Sequence, residues 1–141
     1  MAKPLVTCLW FDGQAEAAAN FYCSVFKDSK ITQVTPMVVT FELNGNKFMG
    51  LNGGPKFKFD EAISIMVNCD NQDEIDYYWD ALTKEGGEES VCGWLKDKFG
   101  LSWQIVPSNL GELMAEPERA KRVMEKVMKM VKLDIATLEN A

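Results

Sequence analysis

Acid and amide side chains recur at one spacing in this chain. Asp12-Gln14-Glu16 and Asp70-Gln72-Glu74 both read Asp-x-Gln-x-Glu, each after an apolar run and before a helical one. Carboxylates of this kind can move protons or hold hard cations. The 141 residues contain no histidine, however. That removes the commonest general base at neutral pH and the commonest transition-metal ligand. It also excludes Ser-His-Asp and Cys-His catalysis. The four cysteines, Cys8, Cys23, Cys69 and Cys92, show no CxxC spacing, so neither a zinc knuckle nor a thioredoxin-like motif is present. Cys8 and Cys69 lie in apolar, strand-like runs and read as reduced, buried thiols.

The elements that must position these groups repeat as well. Residues 4–11, PLVTCLWF, read as a strand, with Asp12 as the N-cap of a helix over 13–26. Ala18, Phe21, Tyr22 and Val25 form its apolar stripe. Strands follow at 30–36, 38–43 and 47–52, the last two joined by a tight turn at Asn44-Gly45-Asn46. The order then restarts. Residues 63–69 read as a strand with Ile63, Ile65, Val67 and Cys69 on one face. Asn71 and Glu74 suggest a capping box, with Asp70 the competing cap. The helix over 72–85 carries Ile75, Tyr78, Trp79 and Leu82 and ends at Gly86-Gly87. Three more strands are expected at about 88–92, 93–98 and 101–107. The offset from Asp12 to Asp70 is 58 residues, and it also pairs Leu9 with Val67 and Phe11 with Cys69. Both halves therefore read strand, helix, strand, strand, strand, and the chain is a tandem repeat. A separate tail follows. Pro117 opens a helix over 117–131 with Val123, Val127, Met130 and Val131 on one side, and Asp134 caps a short helix ending near Asn140. Met124, Met128 and Met130 read as ordinary core packing rather than a binding surface.

Composition narrows the partners. Hydrophobic residues make up 47% of the chain, enough for a core, yet no apolar run reaches the length of a membrane span. The net charge is −6, against nucleic-acid binding. The basic residues of the tail alternate with glutamates, as on a solvated helix face. MAKPLVTCLW lacks the length and cleavage pattern of a signal peptide, and a cytoplasmic protein is expected.

Three stretches are specific: LWFDGQAEAAANFY (9–22), LNGGPKFKF (51–59) and CGWLKDKFGLSWQIVP (92–107). With the tandem βαβββ order, they resemble the PhnB-like branch of the vicinal oxygen chelate superfamily, the superfamily of glyoxalase I, extradiol dioxygenases and bleomycin-resistance proteins. That branch is also called the 3-demethylubiquinone-9 3-methyltransferase domain family. The region after Ile31 is shorter than family members often carry. The resemblance implies an α+β fold in which two βαβββ modules, about 4–54 and 62–108, build a curved, cup-shaped mixed sheet with helices on its convex side. C-terminal helices over 112–141 complete a single domain of residues 1–141. It also implies a homodimer and a small organic ligand held in the cup.

Metal ligands in this superfamily come from the first and last strands of each module. Strand parity places the first-strand position at Val6, and the 58-residue offset carries it to Ser64; the position four residues after each turn glycine, Gly45 and Gly100, gives Met49 and Gln104. None is His, Asp or Glu, so no metal and no cofactor is expected. The cup would be lined by Cys8, Trp10, Met49, Asn52, Phe57, Phe59, Ser64, Trp94 and Gln104, with Glu42 as the candidate catalytic carboxylate. Lys96, Asp97 and Lys98 read either as an anion-binding rim or as a charged hairpin, the second favoured. A methyltransferase of the doubly wound type is disfavoured, because Asp12-Gly13-Gln14-Ala15 has one glycine after the first strand and βαβββ gives no parallel sheet. The first reading is thus a metal-independent small-molecule binding protein with an aromatic-lined cleft. The alternatives are an enzyme on a small organic substrate, using a cleft carboxylate, and a structural or regulatory subunit.

Overall fold

The computed structural model describes residues 3–141. The chain divides into two compact units, the first ending at Phe59 and the second running from Asp60 to Ala141. The first contains β1 (Thr7–Phe11), α1 (Ala15–Val25), β2 (Lys30–Val34), β3 (Val38–Leu43) and β4 (Asn46–Asn52). The second repeats the order with β5 (Ser64–Cys69), α2 (Gln72–Thr83), β6 (Glu88–Glu89), β7 (Trp94–Lys96) and β8 (Ser102–Pro107). It then adds α3 (Leu110–Leu113), α4 (Pro117–Val127) and α5 (Ile135–Glu139).

Each unit has one open, four-stranded mixed sheet, in the orders β1-β4-β3-β2 and β5-β8-β7-β6. The first and last strands of a module pair in parallel, and the other pairs are antiparallel. The registers carry the repeat: Cys8 lies opposite Met49, and Met66, 58 residues after Cys8, lies opposite Gln104. Gly53 N–H donates to Phe11 O, and Ser108 N–H donates to Cys69 O, closing both modules alike.

In the first unit, α1 covers one sheet face. Ala18, Tyr22 and Val25 are buried against it with Leu9, Phe11 and Phe41, and Phe21 lies at the margin. Asp12 is exposed and is not the cap. The helix begins at Ala15 after Gln14, and the Asn52 side chain on β4 accepts from Ala15 N–H at 2.9 Å. The same amide donates to Pro36 O at 3.0 Å, so one side chain ties the helix start to the β2–β3 turn. Asn44 and Gly45 both have positive φ (49° and 81°), giving the two-residue hairpin the strand twist requires. β2 carries a register shift between Ile31 and Gln33.

In the second unit, Asn71 rather than Asp70 caps α2, accepting from Glu74 N–H at 2.9 Å. Ile75, Trp79 and Leu82 are buried, and Tyr78 is half-buried. Ile63 is exposed and precedes the strand. β6 and β7 are shorter than expected because the chain between them is used elsewhere. Cys92 adopts φ 61°, and Cys92 and Gly93 N–H donate to Met130 O and Val131 O of the tail, both at 2.8 Å. The same contacts explain why α4 stops at Val127 and leaves Val131 exposed. The tail docks on its own unit: Val106 of β8 packs with Leu113, Val123, Val127, Leu133 and Leu138. Met124 and Met128 lie outside that core and are exposed, against the packing expected of them. Asp134 caps α5 as expected, accepting from Thr137 N–H.

The thiols separate by environment. Cys69 is buried, and burial, followed by the Glu74 and Asp70 charges, pushes its pKa up to about 12. Cys8 is exposed rather than buried, because it points away from α1 while Leu9 and Phe11 point toward it. Iodoacetamide at pH 8 should therefore modify Cys8 first and Cys69 last, as peptide mass mapping of a time course would show; equal rates would contradict this placement. Asn52→Ala should leave Ala15 N–H unsatisfied and release Pro36, lowering stability in urea unfolding by about 1–3 kcal/mol.

Candidate functional site

Each sheet has one face under its helix and one free of it. In the first unit, parity and register put Cys8, Trp10, Met49, Thr40 and Glu42 on the helix-free face. A groove of about 330 Å³ runs there, bordered by Val6, Thr40, Glu42 and Met49. Glu42 is a partly exposed carboxylate paired with Lys30 at 3.7 Å. Trp10 lies on the same sheet face. Its indole N–H donates to Gly54 O at 2.8 Å, and Phe57 packs edge-on at 4.9 Å. Gly53 lies flat against this indole, where a Cβ would overlap the ring.

Phe57 and Phe59 do not line one surface. Phe59 packs edge-on against Phe11, 5.4 Å away, and Phe11 belongs to the core under α1. The linker clamps the end of β1 from both sides, because the consecutive Trp10 and Phe11 of this strand point to opposite faces and each meets one linker ring. Asn52 is also occupied, with both ends of its amide used to hold α1 and the β2–β3 turn.

In the second unit, Ser64, Trp94, Lys96, Ser102 and Gln104 share the helix-free face. Gln104 Nε2 donates to Ser64 Oγ at 2.9 Å, tying these two polar side chains together. Trp94 pairs with Gln104 across β7 and β8. A cavity of about 150 Å³ lies near them, lined by Glu61, Glu88, Trp94, Lys96 and Ser102. Ser102 is buried, and its hydroxyl has no hydrogen-bond partner among the described residues. An orphaned buried hydroxyl of this kind costs about 1–3 kcal/mol.

The run 96–98 is neither a free cationic rim nor simply a solvated hairpin. Lys96 pairs with Glu61 at 2.8 Å and Lys98 with Glu85 at 3.0 Å. Asp97 is buried and accepts from Phe99 N–H, Leu101 N–H and Trp103 Nε1–H at 2.8, 3.1 and 2.8 Å. Asp97 thus organises the β7–β8 turn. The repeated motif likewise acts differently in its two copies. Asp12, Gln14 and Glu16 are exposed. Gln72 instead clamps the tail, donating to Leu133 O at 3.0 Å and accepting from Ile135 N–H at 2.9 Å. Beside it, Asp76 holds Lys132 at 2.7 Å, and that contact lowers the Asp76 pKa and raises that of Lys132.

Residues 3–106 match the family model described as 3-demethylubiquinone-9 3-methyltransferase. The chain belongs to this family. The helical tail lies beyond the match. A PhnB protein from Bacillus cereus carrying the same family description is 32% identical, covers 74% of this chain and 99% of its own, and superposes with a TM-score of 0.67. A glyoxalase-related enzyme from Fulvimarina pelagi is 18% identical over 74% of this chain and 87% of its own, TM-score 0.56. The fosfomycin resistance protein FosX of Listeria monocytogenes, solved with Mn(II) and sulfate, is 13% identical over 82% and 97%, TM-score 0.58. No curated protein matches. The chain is thus PhnB-like, on the fold that the glyoxalase-related and fosfomycin resistance proteins share.

Two groups implied by this kinship can be tested against the residues. A divalent cation needs several hard donors. The positions mapped from the sequence offer Val6 and Met49, both lining the groove of the first unit, and in the other unit a hydroxyl and an amide hydrogen-bonded to each other. This donor set does not fit a catalytic cation. The doubly wound S-adenosylmethionine site needs a parallel sheet and a glycine-rich first turn. Here the sheets are mixed, and Ala15 N–H at the helix start is taken by Asn52, so that type of site does not fit either.

Gly53→Ala should displace the Trp10 ring and cost about 1–3 kcal/mol through overpacking. A shift of the Trp10 indole N–H resonance would mark it, and an unmoved resonance would refute the close approach. Asp97→Ala should strand three buried donors and cost about 3 kcal/mol or more. Asp97→Asn should recover part of this in urea titration, since its carbonyl can still serve the two backbone N–H groups.

Proposed function

We propose that this PhnB-like chain is a metal-independent small-molecule binding protein whose organic ligand lies against helix-free sheet surface. One observation carries the reading. The positions that would hold a metal bear Val6, Met49, Ser64 and Gln104, none of them an anionic or imidazole donor, and the two polar ones are hydrogen-bonded to each other. Met49 lines the groove of the first unit and Trp94 the cavity of the second, and Trp10 lies on the same sheet face as Met49. Apolar and aromatic walls with few polar groups suit a small organic ligand. Cys8 and Phe57 extend this surface, whereas Asn52 and Phe59 act behind it as supports.

A second reading, an enzyme using Glu42, is favoured by the position of that carboxylate on the rim of the groove. Its pairing with the largely exposed Lys30 argues for a surface role instead. A homodimer and a cytoplasmic location belong to the proposal. The tail no longer argues for dimerisation, since Val123 and Val127 are covered within their own unit. No helix among the described residues is long and apolar enough to cross a membrane.

Thermal unfolding with divalent metals on one side and small aromatic or anionic metabolites on the other tests the reading. An organic ligand at about 100 times its Kd should add about 2.7 kcal/mol to native stability. Trp10→Ala or Gln104→Ala should diminish that shift. A rise in Tm with Mn(II) or Zn(II) alone, in a chain without histidine, would overturn it.

A further inference from the structure

The cavity in the second unit has a chemistry of its own. Its floor is the β7–β8 pair, with Ser102 opposite Lys96. Glu88 of β6 lies opposite Lys96 on the other side. Lys96 is held by Glu61 at 2.8 Å, so the one cation lining the cavity is neutralised. Glu89 is engaged by the Trp79 indole N–H at 2.8 Å. Among the described residues neither Glu88 nor Glu89 is in a salt bridge; Glu89 is bonded to the neutral indole and Glu88 lies beside Lys96, so the field in the cavity is negative. The behaviour of Lys96 agrees: its pKa is raised by the hydrogen bond and charge of Glu61, and further by Glu88 and Asp60.

Two further features bear on what would enter. The Ser102 side chain is 1% exposed and lines the cavity, with its oxygen unpartnered among the described residues. A ligand N–H would satisfy it. The half-buried Trp94 lines the same cavity, and an indole ring attracts cations to its π face. A metal ion is the poorer match, because no group of three or more His, Cys, Asp or Glu among the described residues could hold one. The volume of about 150 Å³ is that of a site for a single benzene-sized ring.

We infer that this cavity binds a small organic cation, an amidinium, guanidinium or primary ammonium on a compact apolar body. The nitrogen donates to Ser102 Oγ and pairs with Glu88, and the body packs on Trp94. The inference rests on the small-molecule reading above and names the ligand class for one of its surfaces.

Benzamidine, benzamide and benzoate are near-isosteric probes carrying positive, zero and negative charge. Each would be titrated into the full chain at pH 7, following the Trp94 indole N–H resonance, assigned with Trp94→Phe, together with calorimetry. Benzamidine should perturb Trp94 and bind at least tenfold more tightly than benzamide, with benzoate weaker still. Glu88→Gln should weaken benzamidine at least fivefold. Ser102→Ala should weaken it severalfold while leaving the chain folded, as a conserved amide spectrum would show. Benzamide or benzoate binding as tightly as benzamidine at Trp94 would overturn the cation class and leave the small-molecule reading standing. No perturbation of Trp94 by any probe would overturn the inference, and the metabolite screen would then judge the wider reading alone. Unchanged affinity in Ser102→Ala would overturn the part assigned to the buried hydroxyl.

Discussion

Parallel pairing between the first and last strand of each module is the interaction on which the rest of the structure depends. A parallel pair cannot be closed by a tight hairpin; the chain must travel away and return. Here it travels through a helix and two antiparallel strands, and the fourth strand returns beside the first. The return sets the registers Cys8–Met49 and Met66–Gln104, and through parity it decides which residues lie under a helix and which do not. A slip of one residue would exchange the two sets. Buried Leu9 and Phe11, and Trp103 and Ile105, hold the register by placing the apolar side chains under α1 and α2.

One helix covers one face of a four-stranded sheet, so each module leaves a second face for other uses. The two modules treat their supports differently. In the first, Asn52 serves as the cap of α1, and the linker aromatics clamp Trp10 and Phe11 at the end of β1. In the second, Gln72, at the start of α2, holds the tail through its backbone, and Val106 anchors the tail core. A single five-residue motif therefore survives in both copies with different work to do. The Gln14 side chain makes no cap, and the Gln72 side chain ties two segments 61 to 63 residues apart.

The chemistry follows from the same division. The strand positions mapped from the sequence bear Val6, Met49, Ser64 and Gln104, and a catalytic cation needs several hard donors. Kinship thus supplies the fold and leaves the function to the residues on it. What those residues offer is aromatic and apolar surface in one unit. In the other they offer an acidic cavity with an unsatisfied hydroxyl.

The sequence by itself determined the architecture of each module. Local signals were strong and mutually consistent: the Asn44-Gly45 turn, the stripe Ile75-Trp79-Leu82, the Asn71 cap and the 58-residue repeat each agree with the observed elements. It also determined, through the missing histidine, which chemistries are closed to the chain. Only the tertiary structure decided where polar side chains spend their hydrogen bonds. Asn52 capping α1 from 37 residues away, Asp97 buried under Trp103, and Phe57 and Phe59 parted to opposite sides of β1 leave no mark on local pattern. The physical reason is that periodicity reports which face a residue takes. A hydrogen-bond partner is set by distance in space, which becomes defined only when the strands have met.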